Sequence, residues 1–378
     1  MALTVWEKFR PTAALLLVCG SFPFSGIFGS PRPSFRVCTF IFLYSIFVFS
    51  FSIYSSMGVF RMEHDSGSMR GPTKQGGMSN MQSVVHAILI ANLHVLSLFY
   101  QLYFLVFGRS ISNLFRRFEK TFGHCSSNLP RWIPFVSIVI IVLIFLLRLF
   151  LVNHMRPSLF LEYQFYYEAV MGFNSATITV LTLAFCLELA RTLQEIRIDS
   201  DAALIQTIYA DVWMLAAELG EALSYPILVS LLNNFLMIFT ELYNILATLF
   251  NASCNQAIDV MELSESSLNL LQQLIRFFLL TFGPYHIEKK ASDREQSALL
   301  EERGKNAKVF RKSEREETLI FMNDHPIRIC LDGYFPLGRS ILVAMLDAVV
   351  TYMVILLQFE GTQACTFAGT PSPPPHVP

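Results

Sequence analysis

Long runs of apolar residues, separated by polar connections, dominate the chain. A helix rises about 1.5 Å per residue, so about 20 apolar residues cross a hydrocarbon core of about 30 Å. Most of the runs reach that length, and the pattern therefore predicts an all-α membrane protein with seven transmembrane helices. The predicted spans are Phe35–Met57, Val84–Phe107, Ile133–Val152, Phe165–Leu187, Ile227–Phe250, Leu268–Phe282 and Leu337–Phe359.

The sixth run is the weakest of the seven. It covers only about 15 residues and contains Gln272, Gln273 and Arg276, so taken alone it is also typical of an interfacial helix. The N-terminal residues 1–30 combine a basic start with a short apolar stretch. This combination fits a secretory signal peptide, but we favour a cytoplasmic or re-entrant segment that does not span the membrane.

Three polar stretches complete the predicted organisation. Leucines and isoleucines recur at near-helical spacing over residues 189–226, which predicts an amphipathic cytoplasmic extension. Residues 288–317 are charge-dense and fit either a solvated helix or a disordered linker, whereas the Pro-rich residues 360–378 are predicted to be disordered. The predicted segments are 1–30 (N-terminal), 31–188 (helices 1–4), 189–226 (extension), 227–286 (helices 5–6), 287–336 (cytoplasmic loop or anchor), 337–359 (helix 7) and 360–378 (extracellular tail).

The distribution of basic residues predicts the orientation of the chain. Most of the 28 lysine and arginine residues lie in the connections on the N-terminal side of the membrane. Because positive residues are enriched in cytoplasmic loops, the N-terminus is predicted to be cytoplasmic and the C-terminus extracellular, opposite to a G-protein-coupled receptor. The sequon Asn251-Ala252-Ser253 then falls in an outer loop, where Asn251 is a candidate glycosylation site.

Composition narrows the classes of function. Hydrophobic residues make up 53% of the chain and charged residues 15%, well below the roughly 25% of soluble domains. The net charge of −1 gives no reason to expect a nucleic acid partner. Neither a cofactor nor a metal site is predicted, because the seven cysteines lack metal-binding spacing. The chain also lacks a catalytic motif such as HExxH or a Gly-rich phosphate loop, so we do not expect an enzyme.

The last apolar run is not uniformly apolar. At helical spacing, Ala348, Thr351, Ile355 and Gln358 fall on one face, which therefore carries a hydroxyl and an amide. Since lipid leaves such groups without hydrogen-bond partners, this face should contact other helices or water. Repeated around a symmetry axis, it could line a pore.

The same run carries a motif. Thr351-Tyr352, five apolar residues and Gln358-Phe359 resemble the TYhhhhhQF signature that closes insect gustatory receptors. This resemblance implies a ligand-gated, non-selective cation channel that is embedded in membrane lipid and senses a small-molecule tastant. It also implies a homo- or heterotetramer with other gustatory receptors, in the plasma membrane of gustatory receptor neurons. The parts of the fourth to seventh helices that extend below the membrane would form the anchor that holds the subunits together.

The resemblance assigns roles along the seventh helix. Ile355 would form an apolar gate, Gln358 would face hydrated ions just outside it, and Asp347 would concentrate cations at the inner mouth. The alternatives are ordinary: Thr351 and Gln358 could bond neighbouring helices, and Asp347 could pair with an arginine such as Arg339. Tyr352 is expected to pack against the fifth or sixth helix.

The ligand site is implied to lie in the outer half of the bundle. Sugar-sensing members of the family place Glu after the motif tyrosine, whereas this chain has Met353, so a bitter or other non-sugar compound is favoured. An odorant receptor and a G-protein-coupled receptor remain alternatives. The polar and aromatic candidates at the expected depth are His86, Asn92, Tyr166, Tyr167, Asn174, Glu241 and Tyr243.

Overall fold

The computed structural model describes residues 13–14, 23–25, 34–36, 39–65, 80–122, 139, 143, 163–195, 202–253, 260–304, 309–333 and 335–364. Helices account for most of these residues, and two short antiparallel strand pairs account for a few more. The helices are α1 (Phe40–Asp65), α2 (Asn80–Phe122), α3 (Tyr163–Glu195), α4 (Ala202–Ser253), α5 (Val260–Gly304), α6 (Val309–Asp324) and α7 (Arg339–Ala364). The strands are β1 (Phe24–Ser25), β2 (Ser34–Phe35), β3 (Cys330–Leu331) and β4 (Phe335–Pro336).

Six of the seven predicted spans lie largely on these helices. The third, Ile133–Val152, falls outside the described residues except for helical positions 139 and 143. Three described segments are both long and apolar enough to cross a membrane: His94–Thr121, Ala176–Gln194 and Ala203–Leu249. The segment Phe40–Tyr54 of α1 is apolar but shorter.

The helices are longer than the hydropathy pattern predicts. α4 is one helix of 52 residues that joins the amphipathic extension to the fifth span, and α5 continues the weak sixth span into the charged stretch as far as Gly304. Helical hydrogen bonding continues past the apolar ends because it does not depend on hydropathy. α7 ends at Ala364, so the beginning of the predicted disordered tail is helical. Asn251 lies in the last turn of α4 and not in a loop as predicted.

The amphipathic pattern of the extension correctly identifies its buried face. Val212, Leu215, Leu219 and Leu223 are all at most 4% exposed, because their spacing of three and four residues keeps them on one side of α4. Their burial in the core cluster contributes roughly 1.5–3 kcal/mol for each side chain. This half of α4 is therefore held by packing against the rest of the chain.

α2 runs along α4 and is joined to it by side-chain hydrogen bonds. The hydroxyls of Tyr100 and Ser230 lie 2.6 Å apart, and the Tyr103 hydroxyl donates to the Ala222 carbonyl at 2.5 Å. Further along, Arg117 of α2 pairs with Glu218 of α4. Residue numbers rise along α2 as they fall along α4, so the two helices are antiparallel.

α3 packs closely against α5. A Cβ atom at Gly283 of α5 would lie 2.9 Å from the Cβ of Cys186, so glycine is required for this approach. Next to this contact, Phe185 of α3 packs on Phe115 and Phe118 of α2, with ring centroids 4.9 and 4.4 Å apart. α2, α3 and α5 therefore share one apolar core.

A hairpin of β3 and β4 leads into α7. Asp332 and Gly333 form its turn with φ values of 50° and 73°. α4 passes so close that a Cβ atom at Gly220 would lie 2.7 Å from the Cys330 carbonyl oxygen. The amide of Leu337 donates to the Ile329 carbonyl at 2.7 Å, so the strand pair fixes the chain just before α7.

Candidate functional site

α7 presents the predicted polar face to the outside of the single chain. Thr351 and Gln358 are exposed, and Ile355 is 41% exposed. Val349 and Met353, which are 3% and 5% exposed, pack into the core with α4 and α5. Positions two residues apart in a helix differ by about 200°, so the exposed and buried residues occupy opposite faces of α7.

Asp347 continues this exposed face toward the start of α7. Among the described residues it forms no ion pair with Arg339, one of the predicted alternatives, and both side chains are exposed. The two residues are eight positions apart, which corresponds to about 12 Å along the helix axis and is beyond the reach of an ion pair. We name the four residues Asp347, Thr351, Ile355 and Gln358 the α7 stripe.

The expectation that Tyr352 packs against a neighbouring helix is not met within the chain. Its side chain is 56% exposed, and the flanking Val350 and Val354 are 61% and 49% exposed. The side chain of Phe359, the last residue of the motif, lies outside the described residues. α7 therefore buries one narrow face in its own subunit and leaves a broad, mainly apolar surface uncovered.

Two predicted ligand-site residues bond neighbouring helices. The Asn92 amide of α2 donates to the Asn233 side chain at 2.8 Å, and the buried Glu241 accepts a hydrogen bond from Asn269 at 3.0 Å. Tyr243 is 2% exposed on α4. The backbones of the remaining candidates lie in α2 and α3, but their side chains fall outside the described residues: His86, Tyr166, Tyr167 and Asn174.

The contact between Glu241 and Asn269 belongs to a larger polar arrangement that we did not predict. Asn234 lies seven residues before Glu241 on α4, and Arg276 lies seven residues after Asn269 on α5. A spacing of seven residues is close to two helical turns, so each pair shares a face. With Gln273, these residues form what we name the α4–α5 seam: Asn234, Glu241, Asn269, Gln273 and Arg276.

All five side chains of the seam are buried. Asn234 is fully buried, Arg276 is 1% exposed, and Gln273, Glu241 and Asn269 are 4–6% exposed. Glu241 is an ionisable group in a predicted span and was singled out for that reason. Its partners could have been found in the sequence, because polar residues at positions 269, 273 and 276 recur at helical spacing within an otherwise apolar run.

A partly buried arginine joins α5 to the end of α3 beyond the predicted span. The Nε and Nη2 atoms of Arg294 donate to the carbonyls of Leu193 and Gln194, each at 2.8 Å. These carbonyls belong to the last turn of α3, where the helix supplies no amide partners. Burial lowers the pKa of Arg294, since it disfavours the charged form.

No group of three or more His, Cys, Asp or Glu side chains able to hold a metal ion occurs within the described part of the chain. What the chain offers is thus an exposed polar stripe on one helix and a buried polar seam between two others. The first could face water or another subunit, and the second could accept hydrogen bonds from a small molecule.

Comparison with known proteins gives one family and a fold. Residues 9–363 match the family described as 7tm chemosensory receptor. Among solved structures, the insect olfactory receptor OR5 from Machilis hrabei matches with a TM-score of 0.58 at 14% identity. The alignment covers 93% of this chain and 97% of that one. The search of curated proteins returned no match.

Proposed function

This chain belongs to the 7tm chemosensory receptor family, and from that membership we propose that it is a gustatory receptor, a subunit of a ligand-gated, non-selective cation channel. The proposed tastant is a bitter or other non-sugar compound. In this proposal the subunit forms a homo- or heterotetramer in the plasma membrane of gustatory receptor neurons. α7 of each copy contributes to one central pore.

The observation that carries the proposal is the direction of the α7 stripe. Its polar groups point away from the subunit, opposite to Val349 and Met353. In a lone subunit this face of α7 would border lipid, which supplies no hydrogen-bonding groups of its own. Four copies around an axis would instead direct the stripes toward shared water, and would also cover the apolar surface beside them.

The stripe supplies the parts of a gate. Four Ile355 side chains would form an apolar constriction that blocks ions by excluding water, and an outward movement of the helices would hydrate it. Gln358 lies about one turn further along and would offer its amide to hydrated cations. Asp347 lies two turns before Ile355 and would raise the local cation concentration.

Met353 supports the non-sugar assignment. In the gustatory receptor family that the motif resembles, the sugar-sensing members carry Glu at the corresponding position. Here the residue is 5% exposed and packs in the core of the subunit. A methionine at this position fills apolar space, so α7 gains packing where those relatives have an acid.

The cytoplasmic position of the N-terminus and the anchor also belong to the proposal. The lower part of α4 is tied to α6 and to the residue that follows it, because the Tyr209 hydroxyl donates to the carbonyls of Met322 and His325. Arg294 adds the link from α5 to α3. A rigid base of this kind could hold subunits together while the upper helices move.

An odorant receptor is the second candidate, favoured by the structural match to an insect olfactory receptor. The two candidates differ in ligand and not in pore, so currents evoked by dissolved bitter compounds or by volatile compounds separate them. The TYhhhhhQF motif favours the gustatory assignment.

The first experiment measures whole-cell current in cells that express this chain alone. Ile355→Ala is compared with Val354→Ala, which removes a neighbouring exposed side chain about 100° around α7. The proposal expects a constitutive cation leak from Ile355→Ala, because a smaller side chain hydrates the constriction. Val354→Ala should remain closed. Equal currents from the two variants at matched surface expression would contradict the pore assignment.

A further inference from the structure

The α4–α5 seam contains hydrogen-bonding groups that the protein does not satisfy. Both amide atoms of Asn234, Nδ2 and Oδ1, and the Oε1 atom of Gln273 are buried with no hydrogen-bond partner in the described part of the chain. Asn234 is fully buried and Gln273 is 4% exposed. Such groups are uncommon in folded proteins, because each carries a desolvation cost that a hydrogen bond would offset.

The two amides lie at the same level of the bundle. α4 and α5 are joined by residues 254–259, and the hydrogen bond between Glu241 and Asn269 shows that they run antiparallel. Asn234 lies seven residues before Glu241 on α4, and Arg276 lies seven residues after Asn269 on α5. Because the two helices are antiparallel, Asn234 therefore lies opposite Arg276. Gln273 lies one turn from Arg276 on the same side of α5. One amide from each helix therefore borders the same stretch of the interface.

The charges of the seam oppose each other. Glu241 and Arg276 carry formal charges of opposite sign, and the other three residues of the seam are neutral amides, so the formal charges of the seam sum to zero. An ion of either sign would therefore gain no net attraction from the seam, whereas desolvating it would be costly. The unsatisfied atoms of the two amides comprise one donor group and two carbonyl acceptors. They are complementary to a molecule that has both donors and acceptors.

We propose that Asn234 and Gln273 determine ligand specificity by hydrogen-bonding a small neutral molecule that carries both a donor and an acceptor. The inference rests on the proposed receptor function and names the chemical class of its ligand. A hydrocarbon would leave both amides unsatisfied, and an ion would be excluded by its desolvation cost. The ligand class thus follows from the groups that the seam leaves open.

The test uses the purified full-length chain in detergent and needs no channel current. Thermal unfolding is followed by tryptophan fluorescence, with stabilisation by added compound as the measure of binding. Theophylline has a ring N–H and two carbonyls, and caffeine has the same ring with that N–H methylated. Limonene represents hydrocarbons, denatonium cations and octanoate anions. The structure predicts stabilisation by theophylline, weaker stabilisation by caffeine and none by the other three.

The decisive variant is Asn234→Leu, which keeps the approximate volume and removes the amide. Because the amide is unsatisfied without ligand, the variant should unfold at a higher temperature than the wild type. Its apparent affinity for theophylline should fall at least tenfold. Gln273→Met is the second variant and should behave in the same way. An amide with a structural role would show the opposite stability change.

Gln101→Leu is the matched control. Gln101 is also fully buried with both amide atoms unsatisfied, but it lies on α2, outside the seam. The control should gain stability and keep its affinity. The proposal is overturned if no neutral compound stabilises the wild type, if only the hydrocarbon or the ions do, or if Gln101→Leu loses affinity equally. If Ile355→Ala carries no cation current but binds theophylline normally, the pore assignment is contradicted and the proposed ligand site in the seam is not.

Discussion

The α7 stripe and the α4–α5 seam are both rows of polar side chains on helices of a membrane receptor, yet the subunit buries one and exposes the other. In the stripe, Thr351 and Gln358 are exposed opposite a narrow buried face. In the seam, Asn234 and Arg276 are almost inaccessible between two antiparallel helices. The two rows can therefore serve different functions. The exposed stripe can contact water or another subunit, whereas the buried seam can contact only groups inside the subunit.

The two rows also differ in how much the fold depends on them. The seam lies where α4 and α5 pack along their length, so a change there alters the centre of the subunit. The stripe lies on a helix whose described residues contribute two well-buried side chains, Val349 and Met353, to the core. Substitutions in the seam should therefore affect folding, whereas those in the stripe should affect conduction.

A lysine scan of two positions gives the largest expected contrast. Asn234→Lys places an unpaired cation in a buried site that already contains Arg276, at a cost on the order of 3–5 kcal/mol. Thr351→Lys places the same cation at an exposed position. We expect Asn234→Lys to be lost from the cell surface, whereas Thr351→Lys should be retained and should reduce the leak current when it is combined with Ile355→Ala. Surface biotinylation with whole-cell recording checks both.

One outcome of these two substitutions would contradict the distinction between an exposed stripe and a buried seam. Equal loss of the two variants from the surface would mean that the stripe is buried in the folded assembly in the same way as the seam. Thr351→Ser, which keeps the hydroxyl, controls for disturbance of the helix itself. It should express and conduct as the wild type does.

Truncation within α7 tests its two faces against each other. Met353→Ala removes a side chain that is 5% exposed and should cost about 2–5 kcal/mol. Thr351→Ala, two residues earlier on the exposed face, should change subunit stability by less than about 0.5 kcal/mol. The midpoint of thermal unfolding of the purified chain measures both. A larger loss of stability from Thr351→Ala than from Met353→Ala would mean that the face of Thr351, and not that of Met353, packs against the core.

Most of the helical segments could be predicted from the sequence because hydropathy alone marks them. The polar row on α7 was also predictable, since Thr351 and Gln358 interrupt an apolar run at helical spacing. The side of α7 that packs inside the subunit could not be predicted. Apolar residues surround this helix on every face, and burial depends on contacts with α4 and α5 that are distant in sequence.

The seam as a whole could not be predicted from single residues. Glu241 is visible as an acid in a predicted span, but its partner Asn269 lies 28 residues later on another helix. The pairing depends on the register of α4 against α5, which long-range packing fixes. The length of α5 was missed for another reason, because its charged end continues as helix without an apolar signal.

The smallest expected effect is at the inner end of the stripe. Asp347 is exposed, so removing its charge with Asp347→Asn should leave subunit stability unchanged. If the residue concentrates cations at the pore mouth, inward current through the Ile355→Ala background should fall by up to about twofold at low ionic strength. The difference should disappear at about 1 M salt, where the screening length is near 3 Å. A reduction that persists at high salt would assign Asp347 a structural contact between subunits instead of an electrostatic role.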